Sequence, residues 1–344
     1  MLEIARHYGS KKHFLFSADL HCKDSTKSQE RLRRGLSTKL IIEGPATLRP
    51  ENFKLFLTNA ENKIQFANVM LKVWSSPDSY TRLQKCETAM LVVNGIVHQF
   101  KTASGQIEVS EVAEIRSNQE ETDTRVIVYT KYTSSIGFQT IVVRSPDTDI
   151  LVLLLHHSSL AGNSEIQFDT GSGKHRRLVN TSELADSLGE EFCECIIGFH
   201  VYTGEDCTSA FKGKGKKNPF KLLQKYPKFQ RAFIELGRYW EVSNETIGLL
   251  EEFTCIMYGR NREKNINNAR FQLLLKMVGP KDKLNLNSKV DFARLPPCRN
   301  SLLPHIYRVN YRLACFKKAG IPIFDLPSPC EDNNGWKKDD QWVY

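Results

Sequence analysis

Residues 140–155 read TIVVRSPDTDILVLLL, two apolar runs on either side of a proline and a pair of aspartates. TIVVR (140–144) and ILVLLL (150–155) are continuous rather than alternating, as expected of strands covered on both faces, so the spacing predicts a parallel sheet. Just upstream, residues 121–136 form a predicted helix with an acidic start. Downstream, Ser182 to Phe199 reads as a helix, followed by a Gly- and Lys-rich turn at 211–217 and a helix beginning near Pro219. Asn218 stands where a cap would stand and Pro219 suits a first helical position.

From there the pattern is helical. Segments 229–237, 244–258, 266–278 and 301–319 are helix candidates, the last with Ile306, Val309, Leu313 and Phe316 on one face and Gly320 as its stop. Trp336 and Trp342 in the tail are expected to pack back onto the body. Toward the N-terminus, HFLFSA (13–18) reads as a short buried strand ending at Asp19, and KDSTKSQERLRRG (23–35) as a helix with Lys27, Arg31 and Arg34 on one face. Residues 53–74 look helical in two pieces, and 87–100 contains a strand with a turn at Asn94-Gly95.

The 344 residues, 40% hydrophobic and 25% charged, are an ordinary globular composition, long enough for one large domain or two modest ones. There is no apolar run of membrane-spanning length and no signal-peptide core at the start, so a nuclear or cytoplasmic protein with no membrane partner is expected, not a secreted one. Nine scattered cysteines, an odd count, read as reduced thiols. The net charge of +9 favours a polyanionic partner, since clustered cations release counterions when they neutralise phosphates.

Three carboxylate clusters stand at element boundaries: Glu120-Glu121 with Asp123, Asp147 with Asp149, and Glu205-Asp206. Ligand sites of open α/β sheets gather at C-terminal strand ends, where such acids repel one another unless cations share them. Mg²⁺ or Mn²⁺ suits oxygen donors, and two ions about 4 Å apart are the arrangement that hydrolyses phosphodiesters. Each cluster alone also has an ordinary explanation in helix-dipole complementation or turn formation. KGKGKK (212–217) offers small residues for close backbone approach and four lysines for a phosphate. Cys193, Cys195, His200 and Cys207 lack the paired spacing of a zinc site, and His156-His157 reads as a strand end rather than a catalytic pair.

The segments QEETDTRVIVYTKY, VVRSPDTDILVLLL and FHVYTGEDCTSAFKGKGKKNPFKLL, in that order, resemble the internal nuclease motifs of the flap-endonuclease (PIN-like, XPG-type) superfamily. LPPCRNSLLPHIYRVNY and NGWKKDDQWVY are similar to the C-terminal signature of uncharacterised transposon-associated animal proteins carrying that domain. The resemblance implies an α/β fold of PIN-like type, a mostly parallel sheet flanked by helices, with a helical cap insertion and a helical C-terminal extension. It places the core in 1–35 and 116–210, the cap in 36–115, and the phosphate loop and helical region in 211–344.

It further implies that Glu121, Asp123, Asp147, Asp149 and Asp206 hold two Mg²⁺ or Mn²⁺ ions, that Asp19 orients them, and that Lys27 and Arg31 act on the scissile phosphate. Arg34, Lys212, Lys214, Lys216 and Lys217 would hold nucleic acid, with K⁺ a candidate at the loop. The family carries a further N-terminal strand whose Asp is a ligand, and ahead of HFLF this chain has only Glu3 as an acid, so the core is expected to be N-terminally incomplete. Three readings remain open: metal-dependent hydrolysis of DNA, with RNA an open alternative substrate; a nuclease-derived module that binds nucleic acid or protein without cutting; or a basic α/β protein with unrelated chemistry.

Overall fold

The computed structural model describes residues 13–20, 38–278, 291–329, 334–338 and 342–343. It is mixed α/β and divides into two compact units, one extending to Phe138 and including Ala319–Asp325, the other holding Gln139–Lys318 and the chain from Leu326.

The first unit is built on a four-stranded sheet in the order β1-β2-β3-β4. β1 (His13–Phe16) is followed by α1 (Phe53–Phe56), α2 (Ala60–Ser75) and α3 (Tyr80–Leu83), then by β2 (Thr88–Val93), β3 (Ile96–Ala103) and β4 (Gln106–Glu111). Asn52 and Asn59 cap α1 and α2 through their side chains, which is why residues 53–74 form two pieces rather than one. Asn94 and Gly95 both have positive φ, 51° and 79°, the backbone of the two-residue hairpin turn that brings Val93 opposite Ile96.

β2 is buried along its whole length. Ala89, Leu91 and Val93 pack with Met70, Trp74 and Phe100, while Met90 and Val92 pack with Ile115, Val128 and Tyr129. The segment 36–115, expected as an inserted cap, thus supplies three of the four strands, among them the one covered on both faces. α4 (Thr122–Ser135) brings Val128 and Tyr129 to this core.

In the second unit β5 (Thr140–Arg144) leads into α5 (Thr148–His156), and then β6 (Glu165–Thr170) runs parallel to β5 and antiparallel to β7 (Arg177–Asn180). ILVLLL, expected as a strand, is the body of helix α5. A short apolar run carries no period that separates a buried strand from a buried helix. Asp147, whose side chain accepts the Asp149 N–H, caps it as a helix, and four of the six residues are leucines. The mostly parallel sheet is corrected with it: β1·β2 and β5·β6 are parallel, and β2·β3, β3·β4 and β6·β7 are antiparallel.

The rest of this unit is helical, as expected, with one division: the helix anticipated over 182–199 is α6 (Thr181–Leu188) and α7 (Glu190–Tyr202), parted at Gly189. α8 (Lys217–Lys225), α9 (Pro227–Glu235), α10 (Asn244–Met257), α11 (Ile266–Val278) and α12 (Arg299–Lys317) follow. Tyr202, Phe229, Phe233 and Phe253 interlock edge to face around α7. Beyond α12, Trp336 is buried against Tyr311, and a short pairing of β8 (Lys337–Lys338) with β9 (Trp342–Val343) ends the described chain. The packing expected of the Trp342 side chain lies outside the described residues.

α12 buries His305, whose Nε2 bonds the Tyr202 carbonyl at 2.9 Å and whose Nδ1 has no hydrogen-bond partner among the described residues. Burial holds this imidazole at about 4, below the usual 6.5. The folded state therefore keeps it neutral, while the unfolded chain takes up a proton below 6.5. Stability is complete above pH 6.5 and declines as pH falls toward 4, by on the order of 3 kcal/mol from this group at 1.36 kcal/mol per unit. Urea midpoints at pH 7 and pH 5 are expected to show the loss, and His305→Gln a flatter dependence.

Candidate functional site

α5 begins where β5 ends, and its capped N-terminus brings two carboxylates together. Asp147 accepts the Asp149 N–H at 3.0 Å, its own N–H bonds the Ser145 hydroxyl at 3.1 Å, and each aspartate offers a carboxylate oxygen within 4.8 Å of the other's. They face an open cleft of about 500 Å³ lined by Asp147, Thr148, Asp149, His200, Gly204, Glu205, Asp206 and Lys216. Three acids expected as ligands in this unit, Asp147, Asp149 and Asp206, therefore share one cleft.

His200, on the last turn of α7, joins the cleft's opposite charges. Its Nε2 lies 2.8 Å from Asp149 Oδ1 and its Nδ1 2.9 Å from Lys216 Nζ, which also donates to the His200 carbonyl at 2.8 Å. An ammonium can only donate, so Nδ1 accepts and the ring proton sits on Nε2, donating to Asp149. That tautomer ties the Asp149 carboxylate to the lysine. Desolvation lowers the Lys216 ammonium to about 8, with Asp149 and Glu205 opposing the shift, so it is largely charged at neutral pH.

The turn after α7 sets the third acid. Gly204 has φ +115°, and a Cβ there would stand 2.7 Å from the Ala210 side chain, so glycine is required. Glu205 turns inward to Arg312 of α12, Oε1 to Nε at 3.3 Å, both side chains at most 4% exposed, while the Arg312 guanidinium lies over Phe316. Asp206 is exposed and lines the cleft.

KGKGKK is divided among several partners. Lys212 pairs with Asp291 at 3.0 Å, Lys214 lies over the Tyr258 ring at 4.5 Å, and Lys216 enters the cleft. Lys217 opens α8 behind Lys216, so Asn218 is not the cap.

In the first unit Glu121 and Asp123 stand at the start of α4, where Asp19 bonds to the helix backbone. Glu121 occupies the N-cap position with no capping bond of its own, and Asp19 Oδ1 accepts the Thr122 N–H at 2.9 Å instead. Arg125, fully buried, bonds the Ala18 and Glu121 carbonyls and so fastens the end of β1 to this helix. Lys27, Arg31 and Arg34 lie outside the described residues.

His156 and His157 close α5, a helix end rather than a strand end. They bond the Cys193 and Phe316 carbonyls, and burial holds His156 at about 3. Cys193, Cys195 and Cys207 are buried thiols, and burial raises Cys195 to about 12. The sequence reading considered His200 only as a zinc donor and missed its link to Asp149. The one signal for it was its position on the helix running into Gly204 and Asp206.

Compared with known proteins, the chain matches no protein-family model, no curated protein and no solved structure. Among the described residues no helix is long and apolar enough to cross a membrane.

Proposed function

We propose that this chain hydrolyses phosphodiester bonds in DNA, in the manner of a structure-specific PIN-like nuclease, using two Mg²⁺ or Mn²⁺ ions. The observation that carries the reading is the Asp147–Asp149 pair sharing a cleft with Asp206 and the half-buried Lys216. The donors fit: they are hard carboxylate oxygens, and Asp147 and Asp149 are each oriented by a protein hydrogen bond. Asp147, Asp149 and Asp206 would hold the ions together with Glu121 and Asp123, the ligands that the sequence resemblance adds, and Asp19 would orient that second pair through Thr122.

Divalent ions held by these carboxylates would supply an acidified water and would stabilise the leaving oxygen. Lys216 contributes a fixed positive charge toward a non-bridging phosphate oxygen, held in place by His200. Lys27 and Arg31 are proposed to act on the same phosphate. Arg34 and the lysines of the 212–217 loop, where K⁺ would bind, are proposed to contact the flanking backbone, with RNA as the alternative substrate and the nucleus or cytoplasm as the site of action.

A second reading, a module that binds nucleic acid without cutting it, is favoured by one observation: the Lys216 ammonium, linked to Asp149 through His200, already offsets part of the acid charge there. Labelled 5′-flap, single-stranded and duplex DNA incubated with the protein in Mg²⁺, Mn²⁺ or EDTA separate the two. Products that appear with metal and vanish with EDTA support hydrolysis, whereas intact DNA that remains bound supports the module.

A further inference from the structure

The β6–β7 hairpin carries a cluster of cations that the cleft does not use. Asp169, 1% exposed at the end of β6, binds two guanidiniums: Arg144 at 2.5 Å, and Arg176 through Nη2 at 2.7 Å and Nε at 2.9 Å. Arg144 also donates to the Gly171 carbonyl at 2.6 Å. Backbone bonds from His175 to Ser172 and from Arg176 to Gly173, 3.0 and 3.2 Å, close the loop between the strands. Lys174, His175 and Arg177 are exposed on it, and no acid occurs between Thr170 and Ser182.

Arg144, Lys174, Arg176 and Arg177 against the single Asp169 leave a charge of +3 on the hairpin and the end of β5. One carboxylate cannot neutralise two guanidiniums, yet it fixes their planes, and Arg144 and Arg176 remain 35% and 29% exposed. Guanidiniums held in fixed planes in this way present a preorganised positive charge to a phosphate.

Its position gives it a purpose. The Ser145 N–H bonds the Asp169 carbonyl at 3.1 Å, joining the base of the hairpin to the strand leading into the cleft. Arg144 is three residues from Asp147, at most about 11 Å of extended chain, or about three phosphates at roughly 3.4 Å of rise each. A cleft crowded with carboxylates repels a polyanion, so a nucleic acid entering it needs a compensating positive flank.

We propose that the hairpin segment 171–177, with Arg144, grips the phosphate backbone of the nucleic acid whose scissile bond lies in the Asp147–Asp149 cleft, an inference that rests on the cleft taking nucleic acid. This hairpin would hold the backbone alongside the lysines of the 212–217 loop.

The test is fluorescence anisotropy of a labelled 30-nucleotide single strand and its duplex, in EDTA, over a range of KCl, with the full chain. Lys174→Ala/Arg177→Ala removes two exposed cations and leaves the Asp169 fork intact. It is expected to weaken binding about tenfold or more and to make the plot of log affinity against log salt shallower by about 1.4–1.8. Arg262→Ala/Lys264→Ala, which removes two exposed cations outside the hairpin, is expected to change both much less. Equal losses in the two variants, an unchanged slope in the first, or no binding by the parent chain would each overturn the proposal. Metal-dependent cleavage with an unaffected hairpin variant would sink this inference alone, whereas hairpin-dependent binding without cleavage would sink only hydrolysis.

Discussion

Asp147→Asn/Asp149→Asn is expected to lower metal-dependent cleavage by about 10³-fold or more, equivalent to about 4 kcal/mol of barrier at 1.36 kcal/mol per tenfold. The substitution removes two charges from the cleft and little else. Asn caps a helix as well as Asp does, so the side-chain bond to the residue 149 N–H can persist and α5 remains capped. An amide oxygen at 149 still accepts from His200 Nε2, so Lys216 keeps its position. The fold and the thermal midpoint should therefore change little. Binding measured in EDTA should hold or strengthen, because the cleft has lost negative charge that opposes phosphate. Cleavage that persists at the parent rate in this variant would remove these carboxylates from the reaction. Loss of cleavage together with loss of folded structure would call for Asp206→Asn as the independent variant, since Asp206 is exposed and caps no helix.

The second large effect concerns stability. Glu205 and Arg312 are paired at 1% and 4% side-chain exposure, where removing one partner strands the other's charge away from water. Glu205→Leu or Arg312→Met is each expected to cost about 3–5 kcal/mol, or roughly 6–20 °C in melting temperature for a unit of this size. Removing both at once should cost less than either alone, because no buried charge is then left uncompensated. Urea denaturation of the two single variants and the double variant closes the cycle, and strictly additive losses would contradict the pairing. Arg238 with Glu235, both close to half exposed, provides the contrast: breaking that pair should shift stability by no more than about 1 kcal/mol. Asp206 follows Glu205 directly, so the ion pair also anchors the turn that presents the third acid to the cleft.

Much of this was legible in residue order because the responsible interactions are local. Asn94-Gly95 marked a tight turn, which the positive φ of both residues now explains, and the periodic apolar face of 301–319 marked a buried helix. The pairing of Asp147 with Asp149 was legible for the same reason. They are two residues apart, and the helix cap that joins them is made within the motif itself.

What residue order left undecided are the choices settled by partners far away in the chain. ILVLLL has no period of its own, and the cap at Asp147 together with its surroundings makes it a helix. β2 looked like part of an appendage because nothing local shows that β1, more than seventy residues earlier, pairs beside it in parallel. Four lysines in six residues looked equivalent until Asp291 took Lys212, the Tyr258 ring took Lys214, and His200 drew Lys216 into the cleft. Residue order dictates which chemical groups the chain possesses and where its local turns and caps fall, since those depend on neighbours a few residues apart. Which acids share a cleft and which cation stands beside them is set by the folded chain, because desolvation and hydrogen bonding between distant segments assign each charge its partner.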